Sequence, residues 1–481
     1  MTQARATHGR RLCGISVAAL TLVAAVPAWA QTAAAPMPQD PTDPSFWTGL
    51  FAPSRTNLLN DMFGLRTALG NDGISLGLQE TSEVLGNVTG GTRRTADYDG
   101  LTEISLGIDT QKAFGWDGGT FNVSALQIHG RDLSTDSLQT LQTASGIEAN
   151  RATRLWELWY QQAFLDGKID VKVGQQSIDQ EFLASQYSGL FINTMMGWPM
   201  LPSADLYAGG PAYPLSSLGV RLRVNAPDNF TFLAGVFDDN PPSGPFNNDS
   251  QLRGSTRWGG NFNLRTGALF IAEAQYTRNV KAPGDAKAPE GLPTSAKIGF
   301  YADTGNFHDQ QLAANGTWLA ANPSLSPAKV PGNSAFYALI DQGIWKAAPD
   351  SPRVLSVFLR GLTAPTKQNL IDVSINGGLT LTAPLEGRDA DTAGLGFGYA
   401  HISTRAQAYD QDVAILNGNL TPVRSSETFI EATYQAQVTP WLQVQPDVQY
   451  VMSPGGGAAN PVTGKKIGNE WVFGIRSNIT F

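Results

Sequence analysis

The chain has 481 residues, 33 Lys and Arg against 41 Asp and Glu, a formal net charge of -8 and only 15% charged residues, well below the ~25% usual for a soluble protein. It holds 51 Gly, 29 Pro, 22 Phe, 12 Tyr and 11 Trp, yet beyond the first thirty residues no apolar run approaches the ~20 that a membrane helix needs. This profile excludes a helical membrane protein and argues against an ordinary cytosolic enzyme, and an acidic chain without a Lys/Arg block is not expected to bind nucleic acid.

Arg5, Arg10 and Arg11 precede an apolar stretch from Leu12 to Val26 that runs into Ala28-Trp29-Ala30, the small-x-small pattern read by signal peptidases. Residues 1–30 are therefore expected to be a signal peptide, and losing its three arginines takes the formal charge from -8 to -11. The single cysteine, Cys13, leaves with it, so the mature chain can form no disulfide and depends on backbone pairing and packing. Residues 31–72 read as a Pro-rich segment and one short helix. In that helix Leu58, Leu59, Met62, Leu65 and Leu69 share a face, and Gly70-Asn71-Asp72-Gly73 stops it.

From residue 73 to Phe481 the apolar period is two. The clearest strands put Ile104, Leu106 and Ile108, then Ile169, Val171 and Val173, then Val220, Leu222 and Val224 on one face. Polar and charged side chains occupy the other. Seventeen candidate strands appear, at 73–83, 101–110, 120–130, 154–163, 168–175, 217–225, 230–237, 257–265, 267–277, 295–303, 334–344, 353–362, 370–382, 392–402, 427–438, 441–452 and 470–481. Short connections such as Asp166-Gly167, Pro227-Asp228-Asn229, Pro349-Asp350-Ser351-Pro352 and Thr439-Pro440 alternate with long ones at 84–100, 131–153, 176–216, 238–256, 304–333 and 403–426. The alternation holds throughout if 257–265 and 267–277 form one strand kinked at Gly267, which makes the count an even sixteen. The last strand sets Trp471, Phe473, Ile475, Ile479 and Phe481 against Gly474, Arg476, Asn478 and Thr480 and ends on an aromatic, similar to the assembly signal of bacterial outer-membrane barrels. The predicted fold is all-β, a sixteen-stranded antiparallel transmembrane barrel over 73–481 with a short N-terminal helix. A barrel of that size is wide enough for an aqueous channel.

Several blocks resemble the OprB family of carbohydrate-selective porins. They are Leu155-Trp156-Glu157-Leu158-Trp159-Tyr160-Gln161-Gln162, Asp166-Gly167-Lys168, Val173-Gly174-Gln175, Phe191-Ile192-Asn193, Ala234-Gly235-Val236-Phe237-Asp238 and Tyr434-Gln435-Ala436-Gln437-Val438-Thr439-Pro440-Trp441. The resemblance implies a sixteen-stranded outer-membrane pore of a Gram-negative bacterium for passive uptake of sugars, glucose above all.

The residues themselves suit that chemistry. A neutral sugar needs donors and acceptors of both signs beside aromatic faces, whereas a ring of one sign selects ions. Facing away from the apolar positions are Glu103, Glu157, Gln161, Lys168, Asp170, Lys172, Arg221 and Arg223, the candidate pore lining. The long connection 176–216 carries Phe182, Tyr187, Phe191, Trp198, Tyr207 and Tyr213. Either it folds inward as a constriction whose rings line a sugar path, with Phe182, Tyr187, Phe191 and Trp198 the candidates, or it caps the barrel outside. No catalytic residues, cofactor or metal are expected: His129, His308 and His401 lack a nucleophile context, and Asp238-Asp239-Asn240 reads as a turn more readily than a calcium loop. A general or anion-preferring porin is the competing pore, and a secreted β-rich glycosidase the competing class. Expected partners are small sugars, outer-membrane lipid, the barrel assembly machinery at the C-terminal strand, and further copies of the chain.

Overall fold

The computed structural model describes Gly49, Ala52 and residues 54–243, 258–280, 291–322, 324–349, 351–418 and 420–481. The expected signal peptide 1–30 and the Pro-rich stretch that follows it to residue 48 lie outside the described residues. Among these residues sixteen strands close into one antiparallel barrel in chain order. They are β1 Ile74–Asn87, β2 Ala96–Asp109, β3 Gly119–Gly130, β4 Ala152–Phe164, β5 Ile169–Gln176, β6 Ser217–Asn225, β7 Phe230–Asp238, β8 Ala268–Arg278, β9 Thr294–Ala313, β10 Pro327–Lys346, β11 Val354–Thr363, β12 Ile371–Thr382, β13 Thr392–Ile402, β14 Ser426–Thr439, β15 Leu442–Met452 and β16 Glu470–Thr480.

Closure is made by β1 against β16, with Glu80 opposite Ile479 and Leu85 opposite Gly474. Arg66, on the helix Leu65–Asn71, reinforces this seam by donating to the carbonyls of Leu76 (2.6 Å) and Phe481. The expected register holds on β5 and β6. Val173, Val220 and Leu222 are exposed on the outside, where lipid lies, and Asp170, Lys172, Arg221 and Arg223 are buried inside.

Three expectations about the strands and helix are corrected. The helix is shorter than its leucine face suggested, because Asn60, Met62 and Phe63 take left-handed backbone angles and break the preceding turn. Within 257–265 the described residues, 258–265, form no strand, so β8 starts at Ala268 and needs no partner segment across Gly267. Most of the 304–333 connection is strand, since β9 runs on to Ala313 and β10 begins at Pro327. Its outward positions change from Ile298 and Phe300 to Thr304, Asn306 and His308. Above the hydrocarbon belt both faces of a strand meet water, so the period-two signal fades while the pairing continues.

Candidate functional site

The connection between β5 and β6 turns into the barrel and lies across it at mid-strand depth. It is built of tight turns and the short helices Thr194–Gly197 and Met200–Asp205. Its first anchor is ionic. Glu181 meets Lys172 on β5 and, on β6, Arg221 (Nε to Oε2, 2.7 Å) and Arg223 (Nη2 to Oε2, 2.9 Å). Asp170 pairs with Arg221 and lies 3.8 Å from Arg223, and Gln161 accepts from Arg221 Nη2 at 3.1 Å. Lys172 also sits 4.7 Å over the Trp159 ring. Glu157 accepts the backbone N–H of Ser177 (3.0 Å) and the Trp159 indole N–H (3.2 Å). A bulge on β4 between Leu155 and Glu157 lets Arg154 and Glu157, three residues apart, both face inward.

Six of the eight predicted lining residues, Glu157, Gln161, Asp170, Lys172, Arg221 and Arg223, thus converge on one knot, in which three cations balance the carboxylates of Glu157, Asp170 and Glu181. Burial by itself raises the Glu181 pKa, but Lys172, Arg221 and Arg223 outweigh it and hold the carboxyl down to about 2. The knot differs from the expected lining in one respect: apart from Gln161, these side chains are buried beneath the loop and fasten it to the wall. Glu103 faces inward with part of its surface free. Lys168 is corrected outright, since it sits exposed in the 165–168 turn at the barrel's short-turn end.

Further along, the wall supplies partners to the loop backbone. Arg360 on β11, 1% exposed, donates to the carbonyls of Leu183 (2.6 Å), Met195 (2.8 Å), Met196 (3.0 Å) and Gly197 (2.9 Å). Glu273 accepts from Leu183 N–H (2.9 Å), Asp341 from Gln186 N–H (2.8 Å) and Glu431 from Ile192 and Asn193 N–H. In the other direction the loop's Asp205 accepts from Leu370 and Ile371 N–H (2.8 and 3.2 Å). The 131–151 connection also folds in. Its Leu141 and Gln142 N–H groups bind Glu427, and Gly146 N–H donates to Ile192 O at 2.8 Å, which joins the two loops. Arg360, Glu431 and this second loop escaped the sequence reading because isolated charges on alternating strands carry no sign of the backbone they will meet.

The loop is therefore internal, but three of its candidate rings are not on the open side. Phe182 packs edge-on against Phe237 (6.4 Å between centroids), Phe191 lies 5.6 Å from Phe358, and Trp198 donates its indole N–H to Gly209 O at 2.8 Å. All three are buried because apolar rings on a loop crossing a polar lumen are driven out of water, Phe182 and Phe191 against the wall and Trp198 within the loop. Only Tyr187 keeps part of its surface free.

A closed barrel with an apolar exterior, a polar interior and its own loops drawn inside is a porin. The chain matches "Carbohydrate-selective porin, OprB family" over residues 93–481 and belongs to that family; it is a carbohydrate-selective channel of the Gram-negative outer membrane. Porin B of Pseudomonas aeruginosa is 25% identical over 90% of this chain and 92% of its own length. A putative porin, QuiX, of Acinetobacter baylyi is 21% identical over 91% and 94%. In fold, the high-pH structure of Pseudomonas putida OprB superposes with a TM-score of 0.77, at 23% identity, covering 89% of this chain and 99% of that one.

Proposed function

We propose that the solutes are glucose and similarly small neutral sugars, crossing passively and without chemical change through the space left between the inward loops and the wall. The observation that supports this reading is the charge-balanced knot of Lys172, Arg221 and Arg223 with Glu157, Asp170 and Glu181, which narrows the barrel without a ring of one sign. Inward side chains that keep free surface, Glu103, Gln161, Trp159 and Tyr187, offer both hydrogen-bonding senses and aromatic faces to a sugar. Binding must stay weak for flux. Glucose at millimolar concentration is expected to block part of the ion current in a planar bilayer, and liposome swelling should discriminate among sugars beyond their size. Swelling that follows solute size alone, with a current indifferent to glucose, would replace this reading by a general porin. We also infer that the C-terminal strand recruits the assembly machinery. Deleting Phe481 should then abolish the heat-modifiable barrel in outer-membrane fractions while export continues, and undiminished barrel would refute it.

A further inference from the structure

The inward cations of the barrel are matched to acceptors, with one exception. Lys172, Arg221, Arg223 and Arg476 each meet a carboxylate, and Arg360 meets four carbonyls. Arg154, at the start of β4 and 3% exposed, forms no ion pair among the described residues, and its Nε and Nη1 have no hydrogen-bond partner there. A buried guanidinium without an anion is costly, and an unsatisfied buried donor calls for something that satisfies it.

The residue lines a cleft of about 260 Å³, measured to its open mouth, together with Gln175, Ser217, Asp238, Asn261 and Asn263. These sit where β4 and β6 begin and β5 and β7 end, the side of the long connections, so the cleft lies outward of the Glu181 knot. The segment 258–263 roofs it. Leu155 N–H donates to Trp258 O at 3.0 Å and Gln175 Nε2 to Gly259 O at 2.9 Å, while Asn263 Nδ2 donates to Asp238 Oδ1 at 3.1 Å and to Asn240 O at 3.1 Å. Gly259 has φ +73° and lies so close to Leu155 O that no Cβ fits. The roof is thus fastened through its own bonds and leaves Arg154 unused. Ser217 Oγ, 3% exposed, is likewise without a partner.

We propose that this cleft binds small sugar acids, aldonates or uronates, at the outer mouth of the channel, with the solute's carboxylate on Arg154 and its hydroxyls on Ser217, Asn261 and Asp238. A guanidinium and a carboxylate form the matched, charge-assisted pair. The single cation balances one negative charge. Asp238 on the facing side accepts from hydroxyls but repels a second charge, so it disfavours inorganic phosphate and phosphate esters while accommodating a polyol chain. A neutral sugar gains no ion pair at Arg154 and binds there more weakly than its acid.

The test uses the detergent-purified full barrel at fixed ionic strength with sodium gluconate, glucose and inorganic phosphate as probes. A ligand that binds only the folded barrel raises its melting midpoint by mass action, read here as the temperature at which the heat-modifiable form is lost. Millimolar gluconate should raise that midpoint by several degrees, and glucose or phosphate at the same concentration should shift it several-fold less. Arg154→Met should abolish the gluconate shift without lowering the midpoint in its absence, because no partner is orphaned, and Ser217→Ala should raise the gluconate concentration needed for half the shift several-fold. No gluconate shift in the unsubstituted barrel overturns the proposal, as does a shift that survives Arg154→Met. Equal shifts with phosphate would overturn it in favour of a bare-anion site, and a lowered midpoint of Arg154→Met without gluconate would mean that the guanidinium already has its partner within the chain. The neutral-sugar reading is decided separately, by glucose block of the unsubstituted channel.

Discussion

Glu181→Gln is expected to release one side of the inward loop, raising single-channel conductance several-fold and shifting ion preference toward anions. The substitution leaves Lys172, Arg221 and Arg223 buried against only Asp170 and Glu157. An uncompensated buried charge costs about 3–5 kcal/mol. Releasing the loop relieves that cost, because the cations then reach water. The barrel itself should persist, since its strands pair independently of the loop, and unchanged heat-modifiability would verify this. Conductance and reversal potential equal to wild type in a salt gradient would mean that the knot does not hold the loop. The same pairing sets a pH dependence. The folded Glu181 carboxyl, held down to about 2 from an ordinary value of 4.5, contributes fully above the ordinary value, and that contribution drains away as pH falls through about 2. Wild-type conductance should therefore be as low at pH 5 as at pH 7 and rise only on approach to pH 2.

Arg360→Met should have the other large effect, at the centre of the loop. One guanidinium there satisfies the carbonyls of Leu183, Met195, Met196 and Gly197. Each buried acceptor left without a partner costs about 1–3 kcal/mol, so the turn from Thr194 to Gly197 can no longer stay in place. The expected result is protease cleavage within 177–216 of an otherwise intact barrel, together with loss of discrimination between glucose and larger sugars in swelling assays. Arg360→Lys should not rescue it, because an ammonium has three donors and lacks the planar fork that spans several carbonyls. Resistance to protease with unchanged discrimination would assign the loop's position to the remaining anchors, Glu273, Asp341 and Glu431.

The barrel and the inward or outward sense of β5 and β6 were legible in the amino-acid sequence because lipid imposes a strict period of two on every spanning segment, and the even strand number followed from the alternation of short and long connections. Ile298 and Phe300 announce β9, and the same strand beyond Thr304 is silent, since water on both faces selects no pattern. The mixed signs of Glu157, Asp170, Lys172, Arg221 and Arg223 were likewise legible as an inner face that carries both charges. The tertiary structure alone decided what those charges touch. Glu181 reaches them from a segment without periodicity, Arg360 lies on a strand more than 160 residues beyond the loop carbonyls it caps, and Phe182 and Phe191 turn to the wall and Trp198 into the loop rather than to the solute. Such contacts arise where a loop crosses the lumen, and that crossing depends on the closure of all sixteen strands rather than on any local run of residues.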